Sequence, residues 1–321
     1  MTAFQGVSCL VTGGAGFIGS HVAAQLVAAG AQVTILDDLS SGHEHNILEL
    51  RPHAEFVCGD IRDASLLDRL LPGVELVFHL AALPSVVYSV EHPVESLSVN
   101  WQGTLTLAEA ARRHGARRLI FSSSCAVYGP RASGALAEDR RPDPASPYAT
   151  AKIGAEYLLS NFQSLYGFET VCLRYFNVFG PRQDPESPYG AVIPLFVKAL
   201  LDRRPPVIFG DGNQTRDFVP VEQVAWTNLR AASCPPGTIV NVGNGRQTNL
   251  WEILRVLGDA LGIALEPRLE PERAGDIRES LADTTRNREV FGVFDGPDLP
   301  ESLARTALWF AGRLPEHRFV D

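Results

Sequence analysis

VSCLVTGGAGFIGSHVAAQLVAAGAQVTILDD, residues 7–38, decides the fold. An apolar run meets a cluster of glycines, an Ala- and Val-rich stretch follows, and a second apolar run ends in Asp37 and Asp38. Strand, glycine turn, helix, strand is the opening of a βαβ unit. Gly14, Gly16 and Gly19 form a G-x-G-x-x-G at the turn. Glycines there permit a tight turn and let a pyrophosphate approach the helix N-terminus, where unpaired N–H groups and the helix dipole attract an anion. An acid closing the second strand suits a ribose diol. Asp37 and Asp38, with no Arg beside them in the sequence, would repel a 2′-phosphate, so the stretch predicts a site for NAD rather than NADP.

Outward from this unit the rhythm continues. AEFVCGD, LLDRLL, LVFHLAA, TLTLAEAARRHG and RRLIFSSS alternate short apolar runs with helix-like stretches as far as about Phe121, the pattern of a doubly wound parallel sheet. Asp60 and Ile61 follow the third strand and are placed to meet an adenine; Asp60 also suits the N-cap of ASLLDRLL, and the two roles are compatible. Beyond Asn177, Gly- and Pro-rich loops separate shorter helical pieces. We expect a Rossmann α/β domain over residues 1–176 and a smaller α/β substrate lobe over 177–321. The division is not a single cut, because GTIVNVGNG, in a segment near 218–245, reads as a strand returning to the main sheet.

The 321 residues, 45% of them apolar, suffice for a large buried core, and a net charge of −9 disfavours a nucleic-acid surface. Five scattered cysteines without CxxC spacing predict neither a disulfide framework nor a metal site. The N-terminus lacks the features of a signal peptide, and no apolar run approaches the roughly 20 residues of a membrane span. These features predict a reduced, cytoplasmic protein with no membrane partner.

The strand RRLIFSSS ends in Ser122, Ser123 and Ser124, at the carboxyl edge where ligands bind in such sheets. Further on, Tyr148 and Lys152 open a helix at i,i+4 spacing, which puts both on one face. An ammonium beside a phenol favours phenolate and lowers its pKa toward neutrality, making Tyr148 a base toward a substrate hydroxyl.

TGGAGFIGSH, LDDLS, GDIRD, HLAA, SSSCAVYG, SPYATAK, LRYFNVFGPRQ, GDGNQTRDFVPV and RAGDIRESLAD, in this order, resemble the extended short-chain dehydrogenase/reductase family of nucleotide-sugar epimerases, most closely the UDP-hexose 4-epimerases. The resemblance spans nearly the whole chain. It implies a catalytic trio of Ser124, Tyr148 and Lys152. It implies NAD contacts from the glycine loop, Phe17, Ile18, Asp37, Asp60, Ile61, Leu80, Ala81, Ala82, Asn100, Tyr148, Lys152 and Phe176. It further implies UDP-sugar contacts from Ser124, Asn177, Val192, Val207, Phe209, Arg216, Arg273 and Asp276, the two arginines clamping the pyrophosphate. The implied reaction is C4 epimerisation: Tyr148 takes the 4-OH proton, the C4 hydride passes to NAD, the 4-keto sugar turns over, and hydride returns to the other face.

Similar dehydratases carry an Asp-Glu pair after the catalytic hydroxyl residue; here Cys125 and Ala126 stand there, which disfavours dehydration. Ser280 matches the position beside the sugar C2 substituent and leaves room for an N-acetyl group. UDP-N-acetylglucosamine/galactosamine is therefore the expected pair, with UDP-glucose/galactose as a further one. Rival readings are a UDP-glucuronate 4-epimerase or decarboxylase using Arg182, a nucleotide-4-ketosugar reductase, and a cofactor-sensing protein without chemistry. Family members commonly dimerise through a four-helix bundle, for which residues 99–113 and 148–162 are the matching stretches.

Overall fold

The computed structural model describes residues 4–185, 191–272 and 278–314. Seven strands form one parallel sheet: β1 (Ser8–Thr12), β2 (Gln32–Asp37), β3 (Ala54–Cys58), β4 (Leu76–His79), β5 (Arg118–Ser124), β6 (Glu169–Tyr175) and β7 (Ile239–Val242). Their spatial order is β7-β6-β5-β4-β1-β2-β3. The fold is the doubly wound Rossmann α/β class that the opening stretch predicts. β7 comes from the C-terminal half of the chain and pairs with β6 in the register Val240↔Leu173.

A parallel sheet covered on both faces needs apolar residues on both sides of each strand. β1 and β4 meet this: Cys9, Leu10, Val11, Leu76, Val77 and Phe78 are all buried. Burying each large side chain contributes roughly 1.5–3 kcal/mol. Helix α1 (Phe17–Ala28) presents Gly19, Val22, Ala23 and Leu26, an i, i+3, i+4, i+7 stripe, to the core. Helix α2 (Thr104–Arg113) buries Leu107, Ala108, Ala110 and Ala111 on the opposite core.

Helix α3 (Pro147–Tyr166) is bounded as its sequence dictates. The Ser146 side chain accepts from the Ala149 N–H at 3.1 Å, Pro147 fills the first helical position, and Gly167 at φ +68° ends the last turn. Residues Ser98–Gly103, just before α2, form a π-turn. A third core gathers Phe196, Ile208, Phe218, Ile253, Leu257 and Leu303 in the smaller C-terminal part. No helix among the described residues is long and apolar enough to cross a membrane.

Candidate active site

β1 and β4 are neighbours in the sheet but not in sequence, so the chain leaves them in opposite directions and a crevice opens at their carboxyl ends. A cleft lies there, lined by residues that include Gly13, Gly16, Phe17, Ile18, Gly19, Asp37, Asp60, Ile61, Leu80, Ala81 and Ala82. Tyr148 and Lys152 line its inner end.

The glycine turn is shaped by close approach. A Cβ on Gly19 would stand 2.0 Å from the Gly13 carbonyl oxygen, and one on Gly13, at φ +69°, would stand 2.6 Å from the Ala81 nitrogen. Gly13 therefore lines the cleft, whereas a Cβ on Gly14 would meet the Ile35 side chain at 2.7 Å and Gly14 is not part of the lining. The spacing picks out Gly14; the backbone uses its neighbour at the cleft and Gly14 for packing.

Helix α1 starts at Gly16 with no side-chain cap and no acid in its first turn, which leaves its N–H groups for an anion. Asp37 is buried: its carboxylate accepts from the N–H groups of Ala15 and Leu39, both at 2.9 Å, and burial raises its pKa against the pull of those bonds. Arg62, which the sequence reading missed, lies in the field of Asp38, and its Nε is 2.9 Å from Asp60 Oδ2. The glycine cradle, uncapped helix start and paired carboxylates fit a dinucleotide held by these residues.

At the inner end, the Lys152 ammonium donates to the Ser122 carbonyl oxygen at 2.8 Å and lies 5.7 Å from the centre of the Tyr148 ring. Ser124, at the end of β5, is near enough to the Tyr148 phenol to pull its pKa down against burial, so strand β5 and helix α3 bring the trio together. The charge relation differs from the expected one. Burial pushes the Tyr148 phenol up to about 12 and the Lys152 ammonium down to about 8. Desolvation disfavours the charged form of each, and the ammonium is bound to a carbonyl rather than aimed at the phenol oxygen.

Two residues assigned to the dinucleotide by resemblance stand back from the cleft. The Asn100 side chain is taken up by the backbone of Leu83, and Phe176 packs with Tyr128 and Ile153. Tyr175 does line the cleft, its hydroxyl 3.0 Å from Ser122 Oγ and accepting from Asn228 Nδ2 at 2.7 Å. No motif marked it.

Of the residues the resemblance assigns to the nucleotide sugar, Val207 and Phe209 bound a short strand paired with Arg268–Glu270. Asn177 opens the strand that pairs with Phe218–Pro220, and Val192 begins a helix. Arg216 and Ser280 are brought together: Arg216 follows Thr215, whose carbonyl oxygen accepts from the Ser280 N–H at 3.2 Å. Arg273 and Asp276 lie outside the described residues. Cys125 is pushed up to about 12 by burial and by the charge of Asp217, which rules it out as an acid or base near neutrality.

Residues 9–243 match the model of the NAD dependent epimerase/dehydratase family. The chain is 42% identical over 309 residues to the UDP-glucose 4-epimerase of Mycolicibacterium smegmatis, covering 95% of this chain and 98% of that protein. The structure of the UDP-N-acetylglucosamine 4-epimerase from Methanobrevibacter ruminantium M1, in complex with UDP-N-acetylmuramic acid, superposes with a TM-score of 0.91. It is 39% identical and covers 97% of this chain and 100% of its own. The UDP-glucose 4-epimerase from Thermotoga maritima, with UDP-glucose, gives a TM-score of 0.91 at 37% identity, covering 95% and 99%.

Proposed function

The chain belongs to the NAD dependent epimerase/dehydratase family, and we propose that this NAD-dependent nucleotide-sugar 4-epimerase interconverts UDP-N-acetylglucosamine and UDP-N-acetylgalactosamine, with UDP-glucose and UDP-galactose as a slower pair. The observation that carries the chemistry is the pair at the inner end of the dinucleotide cleft: Tyr148 and Lys152 on one face of α3, with Ser124 close enough to act on the phenol.

NAD, when bound, supplies a reversible hydride acceptor for C4. Gly13, Gly16, Gly19, Asp37, Asp60 and the wall of residues 80–82 hold it. Tyr148 takes the proton of the sugar 4-OH and later returns it, and Ser124 hydrogen-bonds the same oxygen and orients it. Lys152, charged at neutral pH, favours the phenolate. Residues 1–176 hold the cofactor and 177–321 the nucleotide sugar, with Arg216 and Arg273 on the pyrophosphate and Asn177, Val192, Val207, Phe209 and Asp276 around the rest. Remote binding of UDP retains the 4-keto sugar while it turns.

The small Ser280 side chain, tied by its N–H to Thr215 beside Arg216, supports room for an N-acetyl group. Arg182 stands close enough to His21 of α1 to help lower that imidazole, which supports a loop-holding role over a carboxylate-binding one. We also propose a homodimer, the 99–113 and 148–162 stretches of each copy forming a four-helix bundle.

The test is an assay of purified protein without added NAD on UDP-N-acetylglucosamine and UDP-glucose in parallel, products resolved by NMR. Galacto epimers without cofactor supplementation, the acetylated one faster, are expected. No conversion of either by protein that carries NAD sinks the neutral-hexose reading; faster turnover of UDP-glucose sinks the Ser280 argument.

A further inference from the structure

His79 ends β4 and is 1% exposed. Both ring nitrogens meet threonine hydroxyls: Nδ1 is 2.8 Å from Thr12 Oγ1 at the end of β1, and Nε2 is 2.8 Å from Thr104 Oγ1 at the start of α2. The protons follow by elimination. The Thr104 hydroxyl donates its single proton to the Asn100 carbonyl oxygen at 2.8 Å, so toward His79 it can only accept. Nε2 then carries the ring proton. Nδ1 is bare and accepts from the Thr12 hydroxyl, whose oxygen accepts in turn from the Ala81 N–H at 3.4 Å.

Asn100 continues the chain with its side chain. Its Oδ1 accepts from the Leu83 N–H at 2.8 Å, and its Nδ2 donates to the Leu83 carbonyl oxygen at 3.0 Å. Residues 80–83 are thus gripped at Ala81 from the Thr12 end and at Leu83 from the Asn100 end, and Leu80, Ala81 and Ala82 are cleft wall. The π-turn Ser98–Gly103 carries Asn100 and leads directly into Thr104, so one irregular turn delivers both partners to this network.

We propose that His79 is a positioning residue for the dinucleotide: as the neutral Nε2–H tautomer it locks a one-way hydrogen-bond chain from Ala81 through Thr12, His79 and Thr104 to Asn100, which fixes the cleft wall of residues 80–83. The proposal rests on the dinucleotide reading of the cleft and is independent of which sugar is bound. A protonated ring would leave the Thr12 hydroxyl proton without its acceptor, and burial together with the charge of Lys152 pushes the imidazole down to about 3. The opposite tautomer would set a bare Nε2 against an oxygen whose proton is already committed.

The first arm of the test is NMR of ¹⁵N-histidine-labelled, NAD-loaded protein, the His79 signals identified by their loss in His79→Gln. The expected pattern is an Nε2–H tautomer unchanged between pH 5 and 8. An Nδ1–H tautomer, or titration in that range, overturns the proposal. The second arm measures NAD release from Thr104→Val and Thr104→Ser. The valine leaves Nε2–H without an acceptor and should weaken NAD retention by about tenfold or more, and the serine, which keeps the hydroxyl, should restore it. Valine protein that holds NAD like the parent overturns the proposal; should that variant not fold, the tautomer of the unaltered protein decides. Unaltered protein that binds no NAD would instead refute the dinucleotide reading on which the proposal stands.

Discussion

Burial drives Tyr148 and Lys152 toward their neutral forms in opposite directions, the phenol to about 12 and the ammonium to about 8. Lys152 is therefore the group that changes charge first as pH rises. Glu156 favours its charge, and that charge in turn helps burial keep His79 neutral. With deprotonation the cation that favours the Tyr148 phenolate is lost, so kcat should fall on the alkaline side with a midpoint near 8. A pH–rate profile of NAD-loaded protein checks this, and activity that stays level to pH 10 contradicts it. Tyr148→Phe removes the proton acceptor and should lower kcat by about 10²–10⁴-fold with NAD still bound by mass. Retention of a tenth of the activity would take the base role from Tyr148. At Ser280 the question is volume: Ser280→Tyr should cut kcat/KM for UDP-N-acetylglucosamine by about tenfold or more while sparing UDP-glucose, the order of discrimination a pocket wall commands. Equal losses on both substrates would show that Ser280 does not face the C2 substituent.

Strand β5 and helix α3 carry the trio, and behind it a buried ion pair ties α3 to β6, the strand beside β5. Glu156, one turn beyond Lys152, accepts from Ser123 Oγ and from Arg174 Nη2 at 2.7 Å, and the two charged side chains are 1% and 4% exposed. Arg174 also donates to the Tyr128 hydroxyl at 3.0 Å. Removing one partner strands the other's charge in the core, so Glu156→Gln should cost about 3–5 kcal/mol in denaturant unfolding, while the apolar pair Glu156→Leu with Arg174→Met should recover most of it. A single variant as stable as the parent would show that the pair is not what ties the helix to the strand. Nothing in the sequence announces this lock, because a Glu on a helix and an Arg on a strand read as solvated charges until the fold sets them face to face. The sheet itself was legible, since strand, glycine turn, helix and strand impose it locally. The shared face of Tyr148 and Lys152 was legible too, being an i,i+4 pair, whereas the strand end offered three serines and only the resemblance singled out Ser124. Gly13 was not, because spacing counts residues and cannot tell which of two adjacent glycines takes the positive φ. Asn100 was assigned to the dinucleotide by resemblance, whereas from the π-turn its side chain bonds the backbone of Leu83.

Trp101, at the π-turn, lies against Gly154 of α3, where an added Cβ would stand 1.9 Å from the indole. This joins the segment before α2 to α3 and leaves an apolar face on solvent: Val90, Val94, Leu97, Trp101 and Tyr157 are 61%, 81%, 38%, 36% and 59% exposed. They sit on elements that pack against α3 or belong to it. A row of large apolar side chains on paired helices is what an isologous helical interface buries. On the proposed homodimer, about 1,200–2,000 Å² would be covered in all, and Tyr157, midway along α3, would stand within the contact. Two copies of a 34.9 kDa chain should therefore be found by light scattering at micromolar concentration. Tyr157→Glu places an unpaired charge in that contact and should shift the mass to that of one chain. Its NAD should stay bound, because the Tyr157 side chain points away from the cleft lined by Tyr148 and Lys152. An unaltered protein that runs as one chain would remove the dimer, and a variant that stays double would move the interface to another face of the molecule.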